Sequence, residues 1–150
     1  MSGAPATLDH LSGGRFELGL GAGWLRDEYE CAGMPFDAAG ARVDRLSEAL
    51  EVLELLLSGA SCTLAGEHYV ITDLETFPVP VRRPPLLLGA GSPRMLRLAG
   101  KYADIVGILP RALPNGTISE ELAERTPEAM ARKIDLVRQG AGERFEDIEL

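Results

Sequence analysis

The sequence is poor in aromatic residues, cysteine, histidine and positive charge. Aromatics make up 5% of its 150 residues, and it holds only 2 cysteines and 2 histidines. Cys31 and Cys62 have no metal-type spacing and read as buried or half-buried thiols. His10 and His68 are isolated, so nothing is in place to build a zinc site. Basic residues number 15 against 23 acidic ones, for a net charge of -8. Nucleic-acid binding needs a basic footprint, and Arg82-Arg83, the densest basic run, is too small to be one. No apolar run approaches the roughly 20 residues of a membrane span. The first ten residues lack the basic and apolar regions of a secretory signal. The expectation is a cytoplasmic protein acting on a small-molecule substrate, with no nucleic acid, no membrane and no metal.

What is abundant is aliphatic. Hydrophobic residues reach 45%, with 17 glycines and 10 prolines, which suits a layered α/β core of Leu, Val, Ile and Ala joined by glycine turns. Arg15 to Gly21 reads as a short strand running into glycines. From Gly40 to Ser58, Val43, Leu46, Leu50, Leu53 and Leu57 fall on one helical face. Arg42, Asp44, Arg45, Glu48, Glu51 and Glu54 lie mostly elsewhere, and Gly59 ends the helix. Cys62 to Ala65 and His68 to Ile71 form a hairpin around Gly66-Glu67. Leu86 to Leu88 is a buried strand, and Ser92-Pro93 caps and starts a helix that carries Met95, Leu98, Ala99 and Tyr102 on one face. Asp104 to Leu109 is a further strand, stopped by Pro110. A polar connector follows, with a short helix over Ser119 to Glu124. Thr126-Pro127 repeats the cap and opens a helix with Met130, Ile134 and Val137 inward, ended by Gly140 and Gly142. Ile148 to Leu150 begins one more strand. Alternating strands and helices imply right-handed crossovers and a parallel sheet, in one domain over residues 1–150.

Two strands end alike, in Gly19-Leu20-Gly21-Ala22-Gly23 and in Leu88-Gly89-Ala90-Gly91-Ser92. Glycines just past a parallel strand let backbone approach a ligand closely, so a branched side chain at Gly91 would block that approach. The second turn leads into a helix N-terminus, which favours a phosphate. Neither turn fits the dinucleotide fingerprint: the sixth positions are Trp24 and Arg94, and some fifteen residues separate the first turn from its helix. A small nucleotide-binding domain is therefore disfavoured. Either turn alone could be a mere strand-to-helix connection. Two at the ligand-binding edge of one sheet point to a site.

Thr7 to Arg15 leading into Phe16 to Trp24 closely resembles the bacterial luciferase-like family, and more narrowly its branch that uses deazaflavin coenzyme F420. Glu28 with Gly33 and Pro35-Phe36, Arg42 to Leu50, Gly66 to Tyr69, Pro84 to Ser92, and Ala99 through Tyr102 to Asp104 complete the match. The resemblance implies a (β/α)8 TIM barrel, of which this chain holds about three β/α units. It further implies hydride transfer between coenzyme F420, or alternatively FMN, and a small organic substrate; FMN-dependent monooxygenation is the variant reaction. On this resemblance Gly89, Ala90, Gly91 and Ser92 meet the cofactor phosphate, and Gly21, Ala22, Gly23 and Trp24 lie near the ring. Trp24 could line the ring pocket or serve as a core or rim indole. Glu28 orients the turn or is a solvated carboxylate. His68 and Tyr69 read as packing and surface residues and Asp104 as structural, and no residue stands out as a catalytic acid or base.

A whole barrel of this kind needs about 250 residues. Three strands of the family pattern are expected upstream of this chain, and it stops as a later strand begins. An open arc leaves edges unpaired and an inner face uncovered, so the expected partner is a second copy or a complementing chain. The alternative is a non-catalytic remnant or pairing module of the same fold.

Overall fold

The computed structural model describes residues 3–150. Helix α1 (Gly3–Ser12) precedes strand β1 (Leu18–Leu20). The short helix α2 (Arg26–Cys31) and the long helix α3 (Ala39–Leu57) follow. Strands β2 (Cys62–Ala65) and β3 (Val70–Leu74) form the hairpin. Then come β4 (Leu86–Ala90), α4 (Pro93–Tyr102), β5 (Ile105–Ile108) and α5 (Pro127–Ala141), with 3₁₀ turns over Leu122–Arg125 and Gly142–Asp147. The main sheet is parallel, in the order β1-β4-β5. Glu149 bridges Ile105 in parallel, with the Val106 N–H donating to Glu149 O at 2.8 Å, so the chain end does begin another strand. Among the described residues the sheet is an open arc, and no helix is long and apolar enough to cross a membrane.

The side-chain period of two divides β4 cleanly. Leu86, Leu88 and Ala90 are buried, and with Val106 they pack against Leu50, Leu96, Ala99 and Val137 of the helix layer. Leu87 and Gly89 fall on the other face, where register sets Leu87 beside Gly19 and Ile105, and Gly89 beside Gly107. Burying a Leu completely is worth about 1.5–3 kcal/mol, and the helix-facing side of the sheet takes nearly all of this gain. The opposite face, where Gly19, Gly89 and Gly107 accompany Leu87 and Ile105, stays open.

Helix α3 buries two stripes rather than one. Val43, Leu46, Leu50 and Leu57 face the sheet layer, whereas Val52 and Leu56 pack with Cys62, Leu64 and Ile71 under the hairpin. It ends in a Schellman motif: Gly59, at φ 83, donates to Leu56 O, and Ala60 donates to Leu55 O. The hairpin is held down by Glu48, whose carboxylate accepts the backbone N–H groups of Glu67, His68 and Tyr69 at 2.9, 2.9 and 3.0 Å. Both hydroxyl caps form as the sequence implies, Ser92 accepting from Met95 N–H and Thr126 from Ala129 N–H.

Helix α5 departs from expectation. Its buried positions are Ala129, Lys133, Val137 and Ala141, an i, i+4 series, while Met130 is 37% exposed and Ile134 half-buried. Gly140 does not end this helix. It lies inside it, where an added Cβ would run into the Arg97 backbone, 2.7 Å from its carbonyl carbon. Gly100 on α4 is equally confined, with Val137 O and Ala141 N in the place of its Cβ. The two helices touch backbone to backbone, and Gly142, at φ 59, makes the exit.

The N-terminal ends of the strands are tied by charge. Asp104 accepts from Leu86 N–H at 2.8 Å and from Arg83 Nη1 at 2.7 Å, while Arg83 also reaches Glu54 at 2.7 Å. Asp104 is thus structural, as expected. Asp9 is fully buried and accepts the N–H groups of Val81 and Arg82, fastening α1 to the proline-rich approach to β4.

Candidate functional site

Parallel strands bring their carboxyl ends to one edge, and there the two glycine turns meet. They line opposite sides of a cleft of about 270 Å³, just under the roughly 300–1,000 Å³ typical of enclosed ligand pockets. Gly21, Ala22, Gly23 and Trp24 supply one side, and Gly89, Gly91 and Ser92 the other. Ala90 is the exception among the expected residues: it is 1% exposed and packed in the core beneath the sheet. Leu109, Pro110, Ala112 and Ile118 form a third wall, and Met95, Ala39, Val43 and Arg42 come from helices. Trp24, 38% exposed, stands at the rim.

The first turn is shaped by groups the sequence did not reveal. Arg42, assigned above to the outward face of α3, is buried at 6% exposure. Its Nε donates to Gly23 O at 3.1 Å, its Nη1 donates to Asp37 O, and its guanidinium lies 4.1 Å from the centre of the Phe36 ring. Tyr29 meets Phe36 edge-on at 5.1 Å and donates its hydroxyl hydrogen to Ala22 O at 3.3 Å. Tyr29 belongs to α2, which fills part of the interval expected to be plain connector. Gly23 has φ 73, and a Cβ there would meet the Tyr29 ring. Glu28, on the same short helix, is exposed and does not line the cleft. His68 and Tyr69 lie on the hairpin, outside the cleft, and their backbone serves Glu48.

The second turn corrects the role expected of Gly91. Its missing side chain makes room for protein: a Cβ would strike the Pro110 carbonyl, with the carbonyl carbon at 2.8 Å and Leu109 O at 2.9 Å. A Gly91 substitution would therefore displace the end of β5, whatever binds in the cleft. Gly21 is the opposite case, since a Cβ there meets nothing within 4 Å. Pro110 directly after a strand was the sequence signal for this third wall. Nothing comparable separates Arg42 from Arg45, which pairs with Asp37 near the surface.

Although the chain is acidic overall, among the described residues no carboxylate lines this cleft, and the one charged lining residue is the cationic Arg42. Ser92 caps α4 at the rim, so the positive end of that helix dipole faces the same space. The electrostatics fit an anionic group. Carboxylates stand just behind the third wall instead. Glu124 is held below the ordinary carboxylate range, first by the Arg111 N–H, against the opposing effect of burial, and then by Lys133 and Ser119. Among the described residues, no group of three or more His, Cys, Asp or Glu could hold a metal ion, and both cysteines are free.

Known proteins resemble this chain in sequence and in fold. The chain is 28% identical over 128 residues to pyrimidine monooxygenase RutA of Bradyrhizobium sp. (strain BTAi1), covering 84% of this chain and 36% of that protein. It is 33% identical over 99 residues to the F420-dependent glucose-6-phosphate dehydrogenase of Microbacterium testaceum, covering 66% of this chain and 29% of that one. In structure it resembles an F420-dependent secondary alcohol dehydrogenase solved with an F420-acetone adduct, at TM-score 0.76 and 19% identity, over 99% of this chain and 42% of that one. The coenzyme F420 dependent tetrahydromethanopterin reductase of Methanopyrus kandleri matches at TM-score 0.72 and 22% identity, over 98% of this chain and 43% of that one. The fold is thus an open portion of the α/β TIM barrel of these proteins, and the chain spans less than half the length of each. A profile of the luciferase-like monooxygenase family matches residues 3–150, and the chain belongs to that family.

Proposed function

We propose that this chain forms one wall of a coenzyme site for hydride transfer between deazaflavin coenzyme F420 and a small organic substrate. The observation that carries the reading is the convergence of both glycine turns on one cleft with no lining carboxylate. Relatives named as F420-dependent dehydrogenases favour F420, while the RutA monooxygenases favour a flavin and keep FMN as the alternative. The coenzyme would supply the hydride chemistry. The chain's own part is placement: Gly89 and Ser92 face a phosphate at the start of α4, and Gly21 to Trp24 flank the ring. Arg42 fixes that flank through Gly23 O and adds positive charge to the cleft.

The open face of the sheet, and the edge of β1 that no strand among the described residues pairs, support a second copy or a complementing chain as the partner that completes the pocket. Sedimentation of the purified chain tests this: a monomer at micromolar concentration removes the second copy. A cytoplasmic setting is part of this reading, and the free, exposed thiol of Cys31 is compatible with a reducing compartment.

Fluorescence titration with coenzyme F420 and with FMN is the decisive experiment. Saturable binding of F420 in preference to FMN supports the reading, preference for FMN turns it towards the monooxygenase branch, and binding of neither sinks it. Gly21→Val sharpens the result. No protein atom opposes a side chain at that position, so folding should be unchanged while binding is lost. Unaltered affinity in this variant would remove the first turn from the site.

A further inference from the structure

We infer that Lys133 is a positioning residue: from the buried face of α5 it clamps Leu109 to Arg111 against the Gly89–Ser92 turn and so sets the shape of the coenzyme wall. The inference rests on the proposed coenzyme reading of that turn. Lys133 is 9% exposed, unusual for a lysine, and a buried ammonium persists only with partners. It has two. Its Nζ donates to Leu109 O at 2.8 Å and lies 3.3 Å from Glu124 Oε2. The same Glu124 oxygen accepts the Arg111 N–H at 2.8 Å, and Arg111 Nε stands 3.5 Å from Oε1.

The residue between these two anchors is Pro110. Its carbonyl occupies the space where Gly91 would carry a Cβ, and Leu109 Cδ1 stands 3.2 Å from the corresponding point at Gly89. One ammonium therefore holds, through three consecutive residues, the surface against which both glycines of the second turn are packed. Leu109 and Pro110 are also walls of the cleft itself. The ladder with β4 ends at the bond from Leu109 N–H to Ala90 O, and the next N–H on that side, that of Arg111, donates to Glu124 instead. The side-chain clamp takes over where the sheet stops.

The test compares wild type with Lys133→Met, Lys133→Arg and Val137→Ala, all in the full chain. Val137 is fully buried one turn along α5, away from the cleft, so its truncation destabilises the fold without releasing the segment. Each protein is titrated with coenzyme F420 and FMN, thermally unfolded, and followed by amide hydrogen exchange. Lys133→Met should weaken coenzyme binding about tenfold or more, as expected for losing a charge-assisted anchor. It should also speed exchange at the Arg111 amide. Lys133→Arg should restore most of the affinity, and Val137→Ala should lower the melting temperature while leaving affinity and Arg111 exchange as in wild type. Wild-type binding that Lys133→Met leaves intact overturns the clamp alone. Equal weakening by Val137→Ala also overturns it, by reducing the effect to general stability. Failure of wild type to bind either coenzyme overturns the coenzyme reading and the clamp's role within it.

Discussion

Arg42 Nε lies 3.1 Å from the carbonyl oxygen of Gly23, joining the middle of the first glycine turn to the start of a long helix. The same guanidinium donates to Asp37 O and covers the Phe36 ring. Hydrogen bonds to charged groups are worth about 1.5–3 kcal/mol each, less when the partner carbonyl can be rehydrated. Arg42→Met should therefore lower unfolding stability by roughly 2–3 kcal/mol. Arg42→Lys should recover only part of this, since an ammonium cannot reproduce the planar fork or its stacking. Urea unfolding at neutral pH measures both; a loss below about 0.5 kcal/mol in the Met variant, the range of ordinary surface changes, would show that the turn holds itself.

Two glycines tie α4 to α5, and here two effects oppose each other. Alanine inside a helix is favoured over glycine by about 0.8–1 kcal/mol. At Gly140, however, the added methyl would run into the Arg97 carbonyl, and at Gly100 into the Val137 carbonyl. These are backbone atoms, which cannot swing aside, and overpacking costs about 1–3 kcal/mol or more. Gly140→Ala should thus lower the melting temperature, despite its better propensity. A raised melting temperature would mean that the helices can separate at little expense.

These cases show what was legible in the sequence. Leu86 to Leu88, the Ser92 and Thr126 caps, and the Gly59 stop are local patterns, and all appear where the residues imply. Arg42, Lys133 and Gly140 are defined by partners far along the chain. An arginine on α3 that reaches Gly23 looks like its neighbour Arg45, which reaches Asp37. Met130 and Ile134 formed the more apolar stripe on α5, yet the helix turns a lysine inward because Leu109 O and Glu124 await it. Gly91 lines the cleft, but its bare backbone accommodates Pro110.

Glu48 makes the hairpin pH-sensitive. Burial pushes its carboxyl up, but the N–H groups of His68, Glu67 and Tyr69 outweigh this and hold it below the ordinary glutamate value. A carboxyl depressed in the folded state contributes stability that is fully present above its unfolded value, about 4.3. That contribution is lost as pH falls through the lower folded value. The stability gap between wild type and Glu48→Gln should therefore be largest near neutral pH and close in the acid range below about pH 4. Urea unfolding across pH, with amide exchange at residues 67–69, gives the measurement. A gap independent of pH would mean that the uncharged amide serves as well as the carboxylate.

The contact between Gly23 and Tyr29 predicts a coupling that neither single variant shows. Gly23 has φ 73, where an alanine is strained by about 1–2 kcal/mol. Its Cβ would also collide with the Tyr29 hydroxyl and come within 2.9 Å of Cζ. Tyr29→Phe alone gives up one long bond to Ala22 O, at 3.3 Å, and should change stability by less than about 1 kcal/mol. In the double variant the hydroxyl is absent, so the added methyl meets only the ring edge, Cζ at 2.9 Å and Cε2 at 3.0 Å, and a small tilt of the ring relieves it. The Gly23→Ala, Tyr29→Phe pair should therefore lose at least about 0.5 kcal/mol less than the sum of its parts, the size of coupling expected between touching residues. Strict additivity in urea unfolding would show that backbone strain alone explains the glycine. The ring and the turn would then be free to move independently at the wall of the cleft.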